Sequence, residues 1–216
     1  MSEKKKENLV VFWGWVKGDI SARRIFKDAP EGIDVYPITF EQLLEGRWVE
    51  SIGENFIRFL NAHNLDKVFI FGHSLGAPLA VHAAYAHPDR VQGLILSDAE
   101  GIYEPTSPFQ LARNFLAPSP NSEFLLNEFV GSIAKITKHP LLFARMAWLA
   151  HHIDVQKEAA EIQIPTTIIW GEQDHLTPLY QGQKLHRLIK DSEFKILKGE
   201  GHDWILFRPE QLWQNI

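Results

Sequence analysis

Val68-Phe69-Ile70-Phe71-Gly72-His73-Ser74-Leu75-Gly76-Ala77-Pro78 is the stretch on which the reading of the fold turns. Its first four residues are β-branched or aromatic and apolar throughout, as in a strand covered on both faces. Leu79, Ala80, Ala83 and Ala84 then recur at helical spacing. Between the two lies Gly-x-Ser-x-Gly. That pattern alone is weak, because small residues collect at any tight turn. Set between a strand and a helix, it describes a turn that lifts Ser74 clear of a sheet. Gly72 and Gly76 are expected to lack side chains because neighbouring backbone passes close to both. The helix N-terminus behind Ser74 favours developing negative charge. The competing reading is a glycine-rich turn with an incidental serine.

Outward from this turn, short β-rich runs alternate with longer helical patterns, the signature of a parallel sheet with crossover helices. The runs are 9–13, 33–38, 67–71, 94–97, 166–170 and 194–197. Val49, Ile52, Phe56, Phe59 and Leu60 define an amphipathic helix that ends near Asn64. One stretch breaks the alternation: from about 102 to 162 only helical patterns appear, notably over 124–136 and 141–153. Pro105, Pro108, Pro118, Pro120 and Pro140 punctuate it. It is far longer than one crossover needs. The expected organisation is a core of residues 1–101 and 163–216, with 102–162 inserted as a helical cap.

The motif and its setting resemble the α/β-hydrolase superfamily, and the resemblance extends along most of the chain. It implies an α/β-hydrolase fold: a mostly parallel sheet of about six strands, lacking the usual first two, with a helical cap. It also implies a catalytic serine, acid and histidine, in that chain order. An ordinary serine hydroxyl needs a base, and the base needs its tautomer held. Among 10 histidines, His202 lies just after the last expected strand, in Gly199-Glu200-Gly201-His202-Asp203-Trp204, ahead of a helix signal at Pro209-Glu210. This is similar to the family's Gly-His segment and final helix. His63, His82, His87 and His186 read as surface or satisfied core residues, and His73 as packing beside the serine. His151 and His152 are adjacent and so face different sides of a helix, a poor metal site.

For the acid, Gly171-Glu172-Gln173-Asp174-His175-Leu176-Thr177-Pro178 is similar to the family's Gly-x-x-Asp-x-x-x-Pro turn. Asp174 is the expected acid and Asp98, after the earlier strand in Leu94-Ile95-Leu96-Ser97-Asp98, is its rival. Glu172 is expected to point elsewhere, and Asp203 to sit badly for the far nitrogen of His202. The resemblance implies two oxyanion-hole N–H groups, that of Leu75 and one from the loop after the first strand, where Trp15 is the candidate. Trp13 stands where relatives commonly carry histidine and is expected only to pack. The family's Asp-x-x-Gly-x-Gly-x-Ser segment is missing; Thr39-Phe40-Glu41-Gln42-Leu43 stands there instead. The missing first strands expose a different sheet edge, which would favour oligomers.

Composition narrows the function classes. Of 216 residues, 45% are hydrophobic and the formal net charge is -5, so nothing invites nucleic acid or an anionic membrane. The chain has no cysteine, which removes disulfides, thiolate zinc sites and a cysteine nucleophile and suits a reducing cytoplasm. No signal peptide or apolar run of the ~20 residues needed to span a bilayer is visible. The expectation is a soluble cytoplasmic enzyme, monomer or small homo-oligomer, without cofactor or metal. It would hydrolyse a carboxylic ester or thioester through an acyl-enzyme. A serine at this position argues against haloalkane dehalogenase or epoxide hydrolase chemistry, where relatives use aspartate. The Gly14-Trp15 pair and the helical cap resemble the pimeloyl-carrier-protein methyl ester carboxylesterases, whose substrate rides on an acidic carrier protein. Arg113, Lys135, Lys138 and Arg145 would be its contacts, or ordinary solvated charges. Trp15, Phe115, Phe129, Phe143 and Trp148 are expected to line an apolar acyl pocket. Carbon–carbon bond hydrolysis, acyl transfer on the same three residues, or a silent binding protein stand as alternatives.

Overall fold

The computed structural model describes residues 6–14, 25–46, 51–102 and 140–216, with 143 and 147 described by backbone alone. Six strands form one sheet: β1 (Glu7–Phe12), β2 (Ile33–Ile38), β3 (Val68–His73), β4 (Val91–Ser97), β5 (Thr166–Gly171) and β6 (Glu193–Leu197). Every pairing is parallel, in the order β2-β1-β3-β4-β5-β6. Each strand contains the run expected from sequence or overlaps it within a few residues.

The inner runs are apolar nearly throughout because both faces of the sheet are covered there, whereas β2 and β6 carry Asp34 and Lys195. Alternate residues enter separate cores. Val10, Phe12, Ile70, Leu94, Leu96, Ile168 and Trp170 pack on one side. Leu9, Val11, Phe71, Ile95 and Ile169 pack on the other, beneath Phe26, Trp204, Ile205 and Leu212.

Thr39 starts α1 (Phe40–Leu43) with a capping box: its hydroxyl accepts from the Gln42 N–H, and Gln42 Oε1 accepts from the Thr39 N–H. A helical turn thus occupies the place of the missing glycine-rich segment. The amphipathic pattern becomes α2 (Ile52–Ala62), with Ile52, Phe56, Phe59 and Leu60 buried; Val49 lies outside the described residues. The helix after the Gly-x-Ser-x-Gly turn is α3 (Gly76–Ala86). The 141–153 pattern becomes α4 (Pro140–His152), followed by α5 (Gln156–Glu161), whereas the 124–136 pattern lies outside the described residues. Met146, Leu149, Ile153, Val155, Ala159 and Ile162 belong to the larger core. The far end of the 102–162 stretch therefore shares the packing of the sheet, with α5 against α3 and against α6 (Leu179–Leu188). The chain closes with α7 (Trp204–Phe207) and α8 (Glu210–Gln214), of which only the second was expected.

The strand order places the site. The chain passes from β1 outward to β2, then returns to lay β3 on the other flank of β1. Winding reverses between β1 and β3, the point at whose carboxyl strand ends open α/β sheets place their ligands. Trp13 and Gly14 leave β1 at this point, and Ser74 leaves β3.

Candidate active site

Ser74 follows the last residue of β3 with φ of 54°, the left-handed region that an L-residue occupies at a cost of order 1–3 kcal/mol. The conformation is held by its surroundings. The Ser74 N–H donates to Ser97 O at 3.0 Å, and the Ala77 N–H donates to Ser74 O at 3.0 Å. A Cβ on Gly76 would lie 2.1 Å from Phe12 O, and one on Gly72 2.7 Å from Ala77 Cα. Both glycines are thus dictated by close backbone, as the sequence implied. Gly14 is the third: its Cβ would meet Ser74 Cβ at 2.9 Å. The loop after β1 therefore lies directly against the serine side chain.

Ser74 Oγ lies 3.0 Å from His202 Nε2, and His202 Nδ1 lies 2.8 Å from Asp174 Oδ2. His202 is carried in from the turn after β6 and Asp174 from the turn after β5. Three residues from remote parts of the chain thus form one hydrogen-bonded line. Asp174 is fixed on its other side by Thr177, whose Oγ1 donates to Oδ2 at 2.6 Å and whose N–H donates to Oδ1 at 2.8 Å. The Leu176 N–H donates to Oδ1 as well, at 2.8 Å. Burial by itself would raise the Asp174 carboxyl; the His202 charge, its hydrogen bond and the Thr177 donors outweigh that and hold it below its ordinary value. Burial likewise opposes charge on His202. The Asp174 carboxylate and its hydrogen bond, then Asp203 and Asp98, outweigh burial and carry the imidazole up to about 10.

Asp98 does not reach His202 by a hydrogen bond; its partners lie elsewhere. It is fully buried, with Oδ1 accepting from the Gly171 N–H at 2.9 Å and Oδ2 from Trp204 Nε1 at 2.6 Å. Ser97 Oγ lies 2.6 Å from the same Oδ2. Burial first, and then the nearby Asp174 carboxylate, push Asp98 well above the usual carboxylate range. Its place is a tie between β4, β5 and α7. Glu172 accepts from the Gly199 N–H at 3.0 Å, away from His202. His73 packs between Trp13 and His202, with ring centroids 5.0 and 5.1 Å away. Trp13 packs against Phe26 and Phe71 also. His63, His82 and His186 each have a local partner: Phe59 O, Glu158 and Ser192.

Asp98, Asp174 and His202 offer ligand atoms all within 4.8 Å of one another, the spacing of a metal cluster. Those atoms are already engaged. Nδ1 faces Asp174, and the carboxylate oxygens accept from Gly171, Trp204, Thr177 and Leu176. A cation would have to displace these donors.

Of the expected oxyanion-hole groups, Leu75 caps α3 directly after Ser74, among the N–H groups that a helix leaves unbonded internally. Trp15, Phe115 and Phe129 lie outside the described residues, as do Arg113, Lys135, Lys138 and the side chain of Phe143. Trp148 is 45% exposed and stacks on His152 at 4.4 Å. Two site residues escaped the sequence reading. Thr177 had a signal, since Asp-x-x-Thr is the spacing at which a carboxylate captures the third N–H ahead. Glu100 had none: its carboxylate Oε1 lies 3.3 Å from Ser74 Oγ.

A family model for the alpha/beta hydrolase fold matches residues 47–162. The chain belongs to that family. The matched segment contains the Ser74 turn, whereas Asp174 and His202 lie beyond it. Among curated relatives, the chain is 28% identical over 169 residues to a 2-hydroxy-6-oxononadienedioate/2-hydroxy-6-oxononatrienedioate hydrolase 2 of Pseudomonas putida, covering 66% of this chain and 59% of that one. A pimeloyl-[acyl-carrier protein] methyl ester esterase of Neisseria meningitidis serogroup B is 24% identical over 166 residues, covering 65% and 64%. The chain thus spans about three fifths of the length of such hydrolase-fold relatives. Among solved structures, an alpha/beta hydrolase enzyme from the sediment metagenome of the Mar Chica lagoon, Morocco, superposes with a TM-score of 0.74 at 21% identity. That match covers 97% of this chain and 88% of the other, a likeness of fold. Among the described residues, no helix of this family member is long and apolar enough to cross a membrane.

Proposed function

We propose that this α/β-hydrolase is a carboxylic-ester or thioester hydrolase working through an acyl-enzyme on Ser74, with His202 as base and Asp174 as the acid that orients it. One observation carries the reading: the unbroken line from Ser74 Oγ through His202 to Asp174, with hydrogen-bond distances of 3.0 and 2.8 Å. Neutral His202 takes the serine proton as Oγ attacks the acyl carbon. The oxyanion would be met by the N–H of Leu75 and, from the loop after β1, that of Trp15. His202 then gives its proton to the leaving alcohol or thiol. Water, deprotonated by the same imidazole, attacks the acyl-enzyme and releases the acid. The 102–162 stretch would act as the cap, with Trp15, Phe115, Phe129, Phe143 and Trp148 offering the acyl pocket.

A carrier-bound acyl methyl ester is the narrower substrate within this class, supported by the Neisseria relative and by basic residues of the stretch, of which Arg145 is exposed on α4. The second reading, carbon–carbon bond hydrolysis on the same three residues, is favoured by likeness to the Pseudomonas dienedioate hydrolase. A fluorophosphonate probe should label Ser74 in the wild type and leave Ser74→Ala unlabelled; labelling of the variant at another serine would overturn the assignment. A series of p-nitrophenyl esters from acetyl to octanoyl then separates the readings. Each buried methylene adds ~0.8 kcal/mol, or about fourfold in kcat/KM if fully realised. A flat series argues against an acyl pocket. Turnover of a vinylogous 2-hydroxy-6-oxo acid with no ester activity would favour the carbon–carbon reading.

A further inference from the structure

Thr177 is buried where three turns meet, and its main chain is fixed on both sides. Its N–H donates to Asp174 Oδ1 at 2.8 Å, and its carbonyl accepts from Trp170 Nε1 at 2.8 Å within the core. A β-branched side chain on so fixed a backbone has little rotamer freedom. Its hydroxyl oxygen is held 2.6 Å from Asp174 Oδ2, 3.2 Å from Asp98 O and 3.2 Å from His202 Nδ1. Those atoms belong to the chain just after β5, β4 and β6.

The hydroxyl has one hydrogen to give. Asp174 Oδ2 is the nearest acceptor and the charged one, so it takes that hydrogen. What Thr177 turns toward His202 is then lone pairs. Nδ1 of the neutral, reactive imidazole faces two acceptors, Asp174 Oδ2 at 2.8 Å and Thr177 Oγ1 at 3.2 Å. A bare Nδ1 would be repelled by both. The ring hydrogen therefore belongs on Nδ1, which leaves Nε2 free toward Ser74. Seating the carboxyl does not need this hydroxyl. The Leu176 and Thr177 N–H groups already hold Oδ1, whereas the hydroxyl goes to the oxygen that meets His202.

We propose that Thr177 is a positioning residue: its hydroxyl sets the Asp174 oxygen and the His202 tautomer on which the reactivity of Ser74 depends. The inference rests on Ser74 being the nucleophile and His202 its base, as proposed above. Thr177 acts through Asp174, so its contribution should vanish when the carboxylate is replaced. A threonine that only packed the turn would contribute equally with or without that carboxylate.

The test is a double-mutant cycle of Thr177→Val and Asp174→Asn. Valine keeps the shape of threonine and lacks the hydroxyl. The rate of Ser74 labelling by a fluorophosphonate is followed by intact mass and normalised to folded protein. Thr177→Val should slow labelling about tenfold or more, because a hydrogen bond to a charged group is lost. Turnover of p-nitrophenyl butyrate should lose kcat by a similar factor with KM little changed. Thr177→Ser should recover part of the labelling rate and Thr177→Ala should not; this pair carries the comparison if Thr177→Val does not fold. In the Asp174→Asn background, Thr177→Val should cost about twofold or less. A full loss in that background, an unchanged labelling rate in Thr177→Val, or equal rates in Thr177→Ser and Thr177→Ala overturns the role of Thr177 alone. Failure of the wild type to label on Ser74 overturns the nucleophile, and this role with it.

Discussion

Ser74 Oγ carries one hydrogen and stands within bonding distance of two acceptors, His202 Nε2 at 3.0 Å and Glu100 Oε1 at 3.3 Å. Which acceptor receives it depends on His202. A neutral imidazole can take the proton; an imidazolium is itself a donor and leaves the hydroxyl to Glu100. With His202 carried up to about 10 by Asp174 and its neighbours, the free enzyme rests largely in the protonated form at neutral pH. As the proposed base, His202 is needed neutral, so kcat/KM should rise with pH along a limb whose midpoint lies well above 6.5. Asp174→Asn should move that limb downward, because the largest force raising the pKa is gone. The same substitution should lower turnover by about 10⁴-fold, as losing the orienting acid does in the serine-protease example. Asp98→Asn should differ in kind. An amide NH₂ or C=O facing Trp204 Nε1 and Gly171 N–H leaves one partner unsatisfied, at a cost of roughly 1–3 kcal/mol in stability with a far smaller loss of rate. Thermal unfolding and steady-state rates on the two variants check this; a crippled, stable Asp98→Asn would reverse the assignment.

At the scale of elements, the turn from β3 into α3 works because three glycines let backbone approach where a side chain would not fit. Gly76 is the tightest, since its Cβ would overlap Phe12 O at the end of β1. Gly76→Ala must therefore push α3 away from β1, the two elements that meet behind Ser74. It should cost about 1–3 kcal/mol or more as overpacking and lower activity beyond the fraction unfolded. Denaturant unfolding alongside rates normalised to folded protein measures both; a silent Gly76→Ala would mean the backbone there yields freely. This part of the site was legible in the chain, because close approach leaves a local trace as glycine. The packing of 153–162 into the main core was less so. Val155, Ala159 and Ile162 have helical spacing that fits a cap and a core alike.

For the whole molecule, the sheet formed by the described residues has β2 and β6 at its two ends. Among the described residues β6 pairs with β5 alone, and its Ile196 is 43% exposed. On the same strand Glu193 and Lys195 pair with each other at 3.1 Å, charges of the kind that keep an edge from recruiting another strand. Replacing both with valine should leave the fold intact and raise light scattering during refolding, with unchanged scattering refuting the role. The existence of the strands along the chain and their parallel type were legible in the sequence alone, because short β-rich runs alternating with helical patterns are local signals. Ser74 and its glycines were determined too, since a sharp turn needs particular residues in succession. Which carboxylate pairs with His202 was not. Asp98 and Asp174 both follow core strands, and only the assembled sheet brings Asp174 to His202 while burying Asp98 under Trp204. Glu100 was wholly beyond the sequence. Its contact with Ser74 arises from two strand ends lying side by side, and distances between neighbouring strands leave no mark on spacing along the chain.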